Sequence, residues 1–190
     1  MRGDSGTAVA RRVADLVVDV PDFPQAGVVF KDLTPLFGDP AGFRDAIDAI
    51  VAHHGADGFD VVAGIEARGF VIAAAVAYAA GTGLVPVRKA GKLPRAVLSA
   101  PYALEYGEAV LEVHEDAFAG RPGRGGGVMD RQRVLVVDDV LATGGTAAAT
   151  LGLVERAGGV IAGFSVLLEL SFLAGRQRLT DRPVHALLTV

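Results

Sequence analysis

The feature that most constrains the fold is a repeated order of short apolar run, glycine-containing loop and helix-like stretch. This order occurs over residues 60–80 and again over residues 134–157. Further short apolar runs, typical of buried strands, lie at residues 84–87, 160–168 and 184–190. Strands that alternate with helices favour a parallel sheet, because each crossover helix packs back onto the sheet. The sequence therefore predicts an α/β fold with a mainly parallel, twisted sheet and helices on both faces.

The N-terminal third is expected to form two helices separated by an ordered loop or hairpin. One helical face of the first segment carries Val9, Val13, Leu16 and Val17. This spacing predicts an amphipathic helix that ends before Pro21. Residues 23–37 hold prolines and a glycine among large apolar side chains, which suits an ordered loop or hairpin. Asp39-Pro40 is typical of an N-cap and a first helical residue, so a helix is expected to reach about His53.

The pattern changes between the two strand-loop-helix units. Alternating side chains from Val110 to His114 predict a strand, and residues 96–100 are a candidate antiparallel partner. Residues 101–107 would then form the connecting loop. The Gly/Arg-rich residues 120–127 are expected to form a flexible surface loop, which we favour over an RNA contact.

Composition excludes several classes of function. The net charge of −4 gives no electrostatic signature of nucleic-acid binding, and the absence of cysteine excludes thiolate catalysis and Cys-based metal sites. The N-terminus has no apolar core typical of a secretory signal. The longest apolar stretch, residues 70–80, is about half of what a membrane span needs. We therefore expect a cytoplasmic protein of 190 residues with no nucleic-acid or membrane partner.

The strongest signal for a binding site is the segment VLVVDDVLATGGT at residues 134–146. An apolar strand ends in Asp138 and Asp139, and a Thr-Gly-Gly-Thr turn opens the next helix. Glycines and a helix N-terminus present backbone N–H groups to an anion, whereas the carboxylates suit sugar hydroxyls. The pattern therefore predicts a ligand with a sugar diol and a phosphate. A P-loop or a dinucleotide fold fits less well, because their glycine motifs are missing. A turn that merely needs glycine is the remaining alternative.

A second loop is expected to face the first one. Gly64 to Gly69 follows another predicted strand, and the carboxyl ends of parallel strands meet at one edge of a sheet. Arg68 in this loop is suited to binding a pyrophosphate. Three further basic residues follow the strand at 84–87 and extend the cationic zone, namely Arg88, Lys89 and Lys92.

The segment at residues 134–146 resembles the 5-phosphoribosyl-1-pyrophosphate (PRPP) signature of the type I phosphoribosyltransferases. The resemblance implies that Asp138 and Asp139 bind the ribose hydroxyls. It implies a 5-phosphate site made of Ala142, Thr143, Gly144, Gly145 and Thr146. It also implies a pyrophosphate site made of Glu66, Ala67, Arg68, Arg88, Lys89 and Lys92.

Three further stretches, residues 23–32, 88–94 and 102–107, are similar to the adenine-specific members of that family. The resemblance implies a hood over the base, with adenine bound at Val29, Phe30 and Lys31. A backbone C=O and N–H would match the amine and ring nitrogen of adenine and meet the wrong groups on guanine or hypoxanthine. The expected reaction transfers the 5-phosphoribosyl group of PRPP to adenine, giving AMP and pyrophosphate.

The same resemblance implies the remaining parts of the enzyme. A lid is expected to carry Tyr102, Glu105 and Tyr106, with Glu105 managing the purine proton and Arg68 as the second catalytic residue. Mg²⁺ is expected to bind with PRPP, mainly through substrate oxygens and water rather than protein ligands. We expect a homodimer with the arginine loop near its interface. The single domain would comprise an N-terminal helix and hood (residues 1–38) and a core (residues 39–190) with a flexible loop at about 95–112.

The sequence departs from the usual family pattern at Ala26, Lys31 and Arg95, and the insert at residues 120–127 is longer than usual. A phosphoribosyltransferase for xanthine or guanine is the nearest alternative. A non-catalytic PRPP- or purine-sensing protein is the other. The four histidines, which show no ligand spacing in the sequence, are interpreted as surface or packing residues: His53, His54, His114 and His185.

Overall fold

The structure is a computed structural model and describes residues 3–103, 108–119 and 131–190. The helices are α1 (Gly3–Leu16), α2 (Thr34–Gly38), α3 (Pro40–His54), α4 (Gly69–Ala80) and α5 (Gly145–Arg156). The strands are β1 (Val18–Pro21), β2 (Val29–Asp32), β3 (Val61–Ile65), β4 (Gly83–Lys89), β5 (Val97–Ala103), β6 (Glu108–His114), β7 (Arg133–Leu141), β8 (Val160–Glu169) and β9 (Val184–Thr189). Two 3₁₀ segments, Ser171–Leu173 and Gly175–Leu179, lie between β8 and β9.

The main sheet has the strand order β5-β6-β4-β3-β7-β8-β9. The pairs from β4 through β9 are parallel, and β6 and β5 extend the sheet in antiparallel pairing. Strands β1 and β2 form a separate antiparallel hairpin. The predicted α/β architecture with a mainly parallel sheet is confirmed.

Alternate residues of the central strands face two separate apolar cores. In β3, Val61 and Ala63 pack on the side of α5, whereas Val62 packs on the side of α3 and α4. Leu135 and Val137 of β7 also belong to the second core, beside Val13 of α1. Because side chains alternate along a strand, a continuous apolar run of this kind requires cover on both faces. Helices on both faces are therefore confirmed.

The residues that predicted the start of α3 have the local structure expected of a helix start. Asp39 caps α3 by accepting a hydrogen bond from the backbone N–H of Gly42 at 2.6 Å, and Pro40 is the first helical residue. The helix ends at Gly55, whose φ of 73° favours glycine. Within the described residues, no helix combines the length and the apolar character that a membrane span requires.

The antiparallel extension differs from the prediction in its length. Residues 101–107 were expected to connect the two strands, but β5 continues through Pro101 to Ala103 and β6 begins at Glu108. Pro101 is tolerated because β5 is the edge strand, where a missing N–H costs no ladder hydrogen bond. The connection at residues 104–107 and the Gly/Arg-rich residues 120–127 lie outside the described residues.

Candidate active site

The residues predicted to bind ribose, 5-phosphate and pyrophosphate lie at or just after the carboxyl ends of β3, β4 and β7. From β3 the chain proceeds through α4 to β4 on one side, and from β7 it proceeds through α5 to β8 on the other. Helices α4 and α5 pack on opposite faces of the sheet. The neighbouring ends of β3 and β7 are therefore a topological switch point, which is where open α/β sheets bind ligands.

Asp138 and Asp139 lie near the end of β7. Asp139 is buried, and its backbone N–H donates to Oδ1 of Asp138 at 2.9 Å. Burial, followed by the charge of Asp139, raises the pKa of Asp138 well above its ordinary value. Burying two adjacent carboxyl groups costs free energy in the ligand-free protein. Such a cost is typical of a binding site, where the ligand supplies the missing hydrogen-bond partners.

The glycine turn after β7 forms a concave pocket at the N-terminus of α5. Its walls include Asp138 and the segment from Val140 to Ala147. Gly144 has a φ of 80°, and a Cβ there would lie 2.4 Å from the carbonyl oxygen of Gly175. A Cβ on Gly175 would in turn lie 2.0 Å from the carbonyl oxygen of Ala142. The turn therefore depends on a second glycine that is distant in sequence, which local sequence reasoning missed.

Arg68 joins the two predicted loops. Its Nε lies 2.7 Å from Oδ2 of Asp139, and its guanidinium carbon lies 5.2 Å from the ring centroid of Phe30. Although Arg68 pairs with the buried Oδ2 of Asp139, no donor among the described residues makes a hydrogen bond of good geometry to this atom. The structure thus brings together the arginine loop, the acidic pair and the predicted base-binding hairpin, and it leaves one buried acceptor for a further donor.

The other predicted pyrophosphate residues converge on Glu66. Its carboxylate accepts from the backbone N–H of Lys89 at 3.0 Å and from Nε of Arg88 at 3.4 Å, and it also pairs with Nζ of Lys92. The Lys92 hydrogen bond is the main cause that lowers the pKa of Glu66. The peptide bond between Glu66 and Ala67 is cis. The loop after β3 and the end of β4 therefore form one charged cluster.

The predicted adenine residues lie on β2 of the hairpin. The ring of Phe30 packs edge-on against Phe23 at 5.2 Å between centroids, and Val29 is 52% exposed. The side chain of Lys31 is directed to the neighbouring strand, where its Nζ lies 2.7 Å from Oδ1 of Asp19. Phe30 is thus beside Arg68, whereas the ammonium group of Lys31 is engaged in an ion pair.

Of the predicted lid residues, Tyr102 is described and Glu105 and Tyr106 lie outside the described residues. Tyr102 is buried, and its side chain hydrogen-bonds with Thr146 of the phosphate turn. Burial is the main cause that raises the pKa of Tyr102, and this hydrogen bond opposes it. Tyr102 is therefore a wall of the phosphate turn, a contact that no local sequence signal indicates.

Gly69 is a further residue that the sequence reasoning did not single out. It begins α4, and a Cβ there would lie 2.8 Å from Oδ1 of Asp138. The glycine therefore lets the arginine loop approach the acidic pair closely. Its position directly after Arg68, at the start of a predicted helix, was the available signal.

Three of the four histidines, which the sequence analysis interpreted as surface or packing residues, lie together in space. Ring nitrogens of His53, His54 and His185 lie within 4.8 Å of one another. His53 and His54 belong to α3, whereas His185 belongs to β9. Burial, before neighbouring charges, lowers the pKa of His54 and of His185 from 6.5 to about 4. Both rings are therefore neutral at pH 7. The packing of α3 against β9 creates the cluster, and the positions of these histidines along the sequence could not show it.

Comparisons with known proteins agree with this geometry. Residues 36–182 match the family described as Phosphoribosyl transferase domain, which is the class that the acidic pair and the phosphate turn predict. A relative called Adenine phosphoribosyltransferase, from Salinispora arenicola, is 70% identical over all of this chain and 96% of its own length. The chain belongs to the adenine phosphoribosyltransferases.

Solved structures extend the similarity to the whole fold. Adenine phosphoribosyltransferase from Rhodothermus marinus is 44% identical with a TM-score of 0.85, over 97% of this chain and 99% of that one. The enzyme from Saccharomyces cerevisiae is 35% identical with a TM-score of 0.86, over 95% of this chain and 99% of that one. It was solved in complex with D-2,5-dideoxy-2,5-imino-altritol 1,6-bisphosphate and adenine.

Proposed function

We propose that this chain transfers the 5-phosphoribosyl group of PRPP to adenine, forming AMP and releasing pyrophosphate. The observation that carries the proposal is the ion pair of Arg68 with Asp139, which places the arginine loop against the acidic pair and the phosphate turn. The 70% identity to a relative called Adenine phosphoribosyltransferase supports the same reaction.

The proposed PRPP site uses three different kinds of donor and acceptor. Asp138 and Asp139 accept hydrogen bonds from the ribose hydroxyls, and the buried Oδ2 of Asp139 has capacity for one. The turn from Ala142 to Thr146 donates backbone N–H groups to the 5-phosphate, aided by the N-terminal dipole of α5. The hydroxyls of Thr143 and Thr146 add further donors.

Arg68 has to exchange partners when PRPP binds. In the free protein its guanidinium neutralises Asp139, but the proposed role requires it to meet the pyrophosphate. Its departure frees Asp139 for a ribose hydroxyl, so the two changes are complementary. Arg88, Lys89 and Lys92 are close to the same edge and add positive charge, although Glu66 offsets part of it.

Mg²⁺ is proposed to bind together with PRPP. The ion would be held mainly by substrate oxygens and water, because Mg²⁺ prefers oxygen ligands and keeps several waters. When bound, Mg²⁺ neutralises charge on the pyrophosphate. Asp138 and Asp139 remain available to the ribose.

In the proposed reaction, a ring nitrogen of adenine forms the new bond to C1 of the ribose as the bond to pyrophosphate breaks. The transition state resembles an oxocarbenium ion, as in glycoside cleavage. The hairpin at Val29, Phe30 and Lys31 holds the base, by packing and by backbone hydrogen bonds. Glu105 is proposed to hold or exchange the purine proton, and the loop around it excludes water.

The proposal is tested by mixing the protein with PRPP, Mg²⁺ and each purine base, and by identifying the nucleotide that forms. Adenine should give the highest kcat/KM by far. A higher kcat/KM for guanine or xanthine would show that the protein is a phosphoribosyltransferase for a purine other than adenine. Binding of PRPP without nucleotide formation from any purine would favour the sensing alternative.

We also propose a homodimer with the arginine loop near its interface. Helix α4 begins directly after Arg68, and its surface exposes Val71 and Tyr78, the latter to 90%. These residues are seven positions apart in the helix and so lie on one face. An apolar helix face of this kind is typical of a subunit contact. A cytoplasmic location remains a prediction from the sequence.

A further inference from the structure

A cluster of three histidines uses none of the residues assigned above to the proposed PRPP and adenine sites. His53 and His54 end α3, and His185 is in β9. The rings of His53 and His185 are stacked with centroids 3.7 Å apart, and the ring of His54 stands edge-on to both. Ring nitrogens of the three residues lie within 4.8 Å of one another.

We propose that His53, His54 and His185 bind one transition-metal ion of the Zn²⁺ type, at a site separate from the proposed PRPP site. Imidazole nitrogen is a preferred ligand for Zn²⁺, Cu²⁺ and Ni²⁺, whereas Mg²⁺ prefers oxygen. Three imidazoles and a water complete a tetrahedral set. The ligands come from two elements, so the ion would tie the end of α3 to the edge strand β9.

The surroundings of the cluster hold the rings in place. Oγ of the fully buried Ser165 lies 2.7 Å from Nε2 of His54 and 3.4 Å from Nδ1 of His185. Metal-binding histidines usually have their other ring nitrogen hydrogen-bonded, which fixes the orientation of the ring. Gly163 makes room for His54, because a Cβ there would lie 2.6 Å from Cε1 of that ring.

The cluster is also open to an incoming ion. His53 and His185 line a surface groove together with two acidic residues: Asp48, whose carboxyl group adds negative charge, and Asp45, whose carboxylate is paired with Arg12. His53 and His54 occupy the last turn of α3, where the helix dipole favours a cation.

Metal binding requires a small movement of the rings. With Zn–N bonds of about 2.0–2.1 Å, tetrahedral ligand nitrogens lie about 3.4 Å apart, so the cluster has to contract by on the order of 1 Å. His53 is exposed, and rotation of its ring out of the stack on His185 supplies this movement.

The test is a calorimetric titration of the tag-free full-length protein with ZnCl₂, after chelator treatment and in the presence of excess Mg²⁺. Mg²⁺ occupies oxygen sites, so the remaining signal reports nitrogen ligands. We expect one ion per chain. His53→Gln should weaken binding by more than about 100-fold, and Ser165→Ala by about 10–100-fold because it removes the outer hydrogen bonds.

His114→Gln is the matched control, because His114 is on β6 and outside the cluster. It should bind Zn²⁺ as the wild type does. His185→Gln serves as a second ligand variant, with circular dichroism to confirm folding. Co²⁺ should give the visible spectrum of a four-coordinate ion in the wild type, and this spectrum should be absent in His53→Gln.

No binding of Zn²⁺ by the wild type, or equal affinity for Zn²⁺ in His53→Gln, overturns the proposal. Nucleotide formation with Mg²⁺ should be unchanged in His53→Gln, so the two proposals fail separately.

Discussion

Asp138 and Asp139 are adjacent in sequence but differ in their surroundings. Asp139 has Arg68 as an ion-pair partner, whereas Asp138 lies beside Gly69 and has its pKa raised by burial. The two carboxyl groups therefore meet a ligand from different surroundings. At this scale the proposed PRPP site depends on single contacts, and single substitutions can test them.

Asp138→Asn combined with Asp139→Asn should weaken PRPP binding without unfolding the chain. Each carboxylate is proposed to accept charge-assisted hydrogen bonds, typically worth ~1.5–3 kcal/mol. The measurement is a calorimetric PRPP titration of both proteins. Asp116→Asn is the control, because Asp116 forms a surface ion pair with Arg95. Wild-type affinity in the double variant would show that the ribose contact is misassigned.

The same titration should depend on pH through Asp138. Since its pKa is raised above the ordinary value of 3.8, the carboxylate that accepts the ribose hydroxyl forms only as the pH rises through that raised pKa. PRPP affinity should therefore fall as the pH is lowered through it. Asp138→Asn should lack this component, while ionisation of the PRPP phosphates affects both proteins equally.

Gly144→Ala should destabilise the protein and impair the phosphate turn. Its φ of 80° is unfavourable for alanine by about 1–2 kcal/mol, and the clash with Gly175 adds to that cost. Gly152→Ala is a matched control within α5, because a Cβ there meets nothing within 4 Å. That change should stabilise the helix by up to about 1 kcal/mol. Urea unfolding of the three proteins makes the comparison, and equal effects of the two alanines would contradict it.

Among the secondary-structure elements, the β1–β2 hairpin gives the side chain and the backbone of Lys31 different roles. Asp19 and Lys31 are opposite each other in its register, and their side chains form the ion pair. The ammonium group of Lys31 is therefore occupied, which leaves the backbone of β2 as the part of this residue that can read adenine.

Lys31→Arg should be nearly silent. Arginine keeps the positive charge and can still pair with Asp19, and the proposed backbone contact is unchanged. We expect kcat/KM for adenine to stay within about twofold, which is less than 0.5 kcal/mol in transition-state binding. Lys31→Gln is the control for the ion pair, which is partly exposed and worth up to about 1 kcal/mol of stability. A tenfold loss in Lys31→Arg would assign the side chain a direct part.

The connection between β5 and β6 carries Glu105, and Glu105→Gln tests its proposed role. Glutamine keeps the size but cannot exchange the purine proton, so the chemical step should slow by about 10²–10⁴-fold. PRPP affinity should change little. Single-turnover AMP formation measures this step directly, because product release can limit steady-state turnover. An unchanged rate would leave the connection as a water-excluding loop only.

At the scale of the whole molecule, the two strand-loop-helix units place their loops side by side at one edge of the sheet. Helix α4 begins at that edge and packs along the sheet, and its outer face exposes Val71 and Tyr78. A subunit contact there would cover the helix that follows the arginine loop. Assembly and PRPP binding would then share one element.

Tyr78→Glu should therefore shift the protein from dimer to monomer. A carboxylate at this position would have to be desolvated in an apolar contact. Sedimentation velocity over a range of micromolar concentrations measures the change, and Tyr78→Phe should remain dimeric. A wild-type protein that sediments as a monomer throughout the range would refute the proposed dimer.

The predictions that came from the sequence without a structure were local. The apolar runs, the Asp39 cap of α3 and the acidic pair before a glycine turn each depend on neighbouring residues. Their periodicity and spacing predicted the α/β architecture, and they predicted the edge of the sheet at which the candidate residues meet. The resemblance of these motifs to a known family then indicated the reaction.

Which distant groups meet depends on how the elements pack in three dimensions. The pairing of Arg68 with Asp139, the contact of Tyr102 with Thr146 and the close approach of Gly175 to Gly144 depend on strand order and helix packing. The histidine cluster arises in the same way, because α3 and β9 are far apart in the sequence and pack against each other in the fold. Such contacts leave no periodic trace in a sequence, since the residues involved are separated by many others.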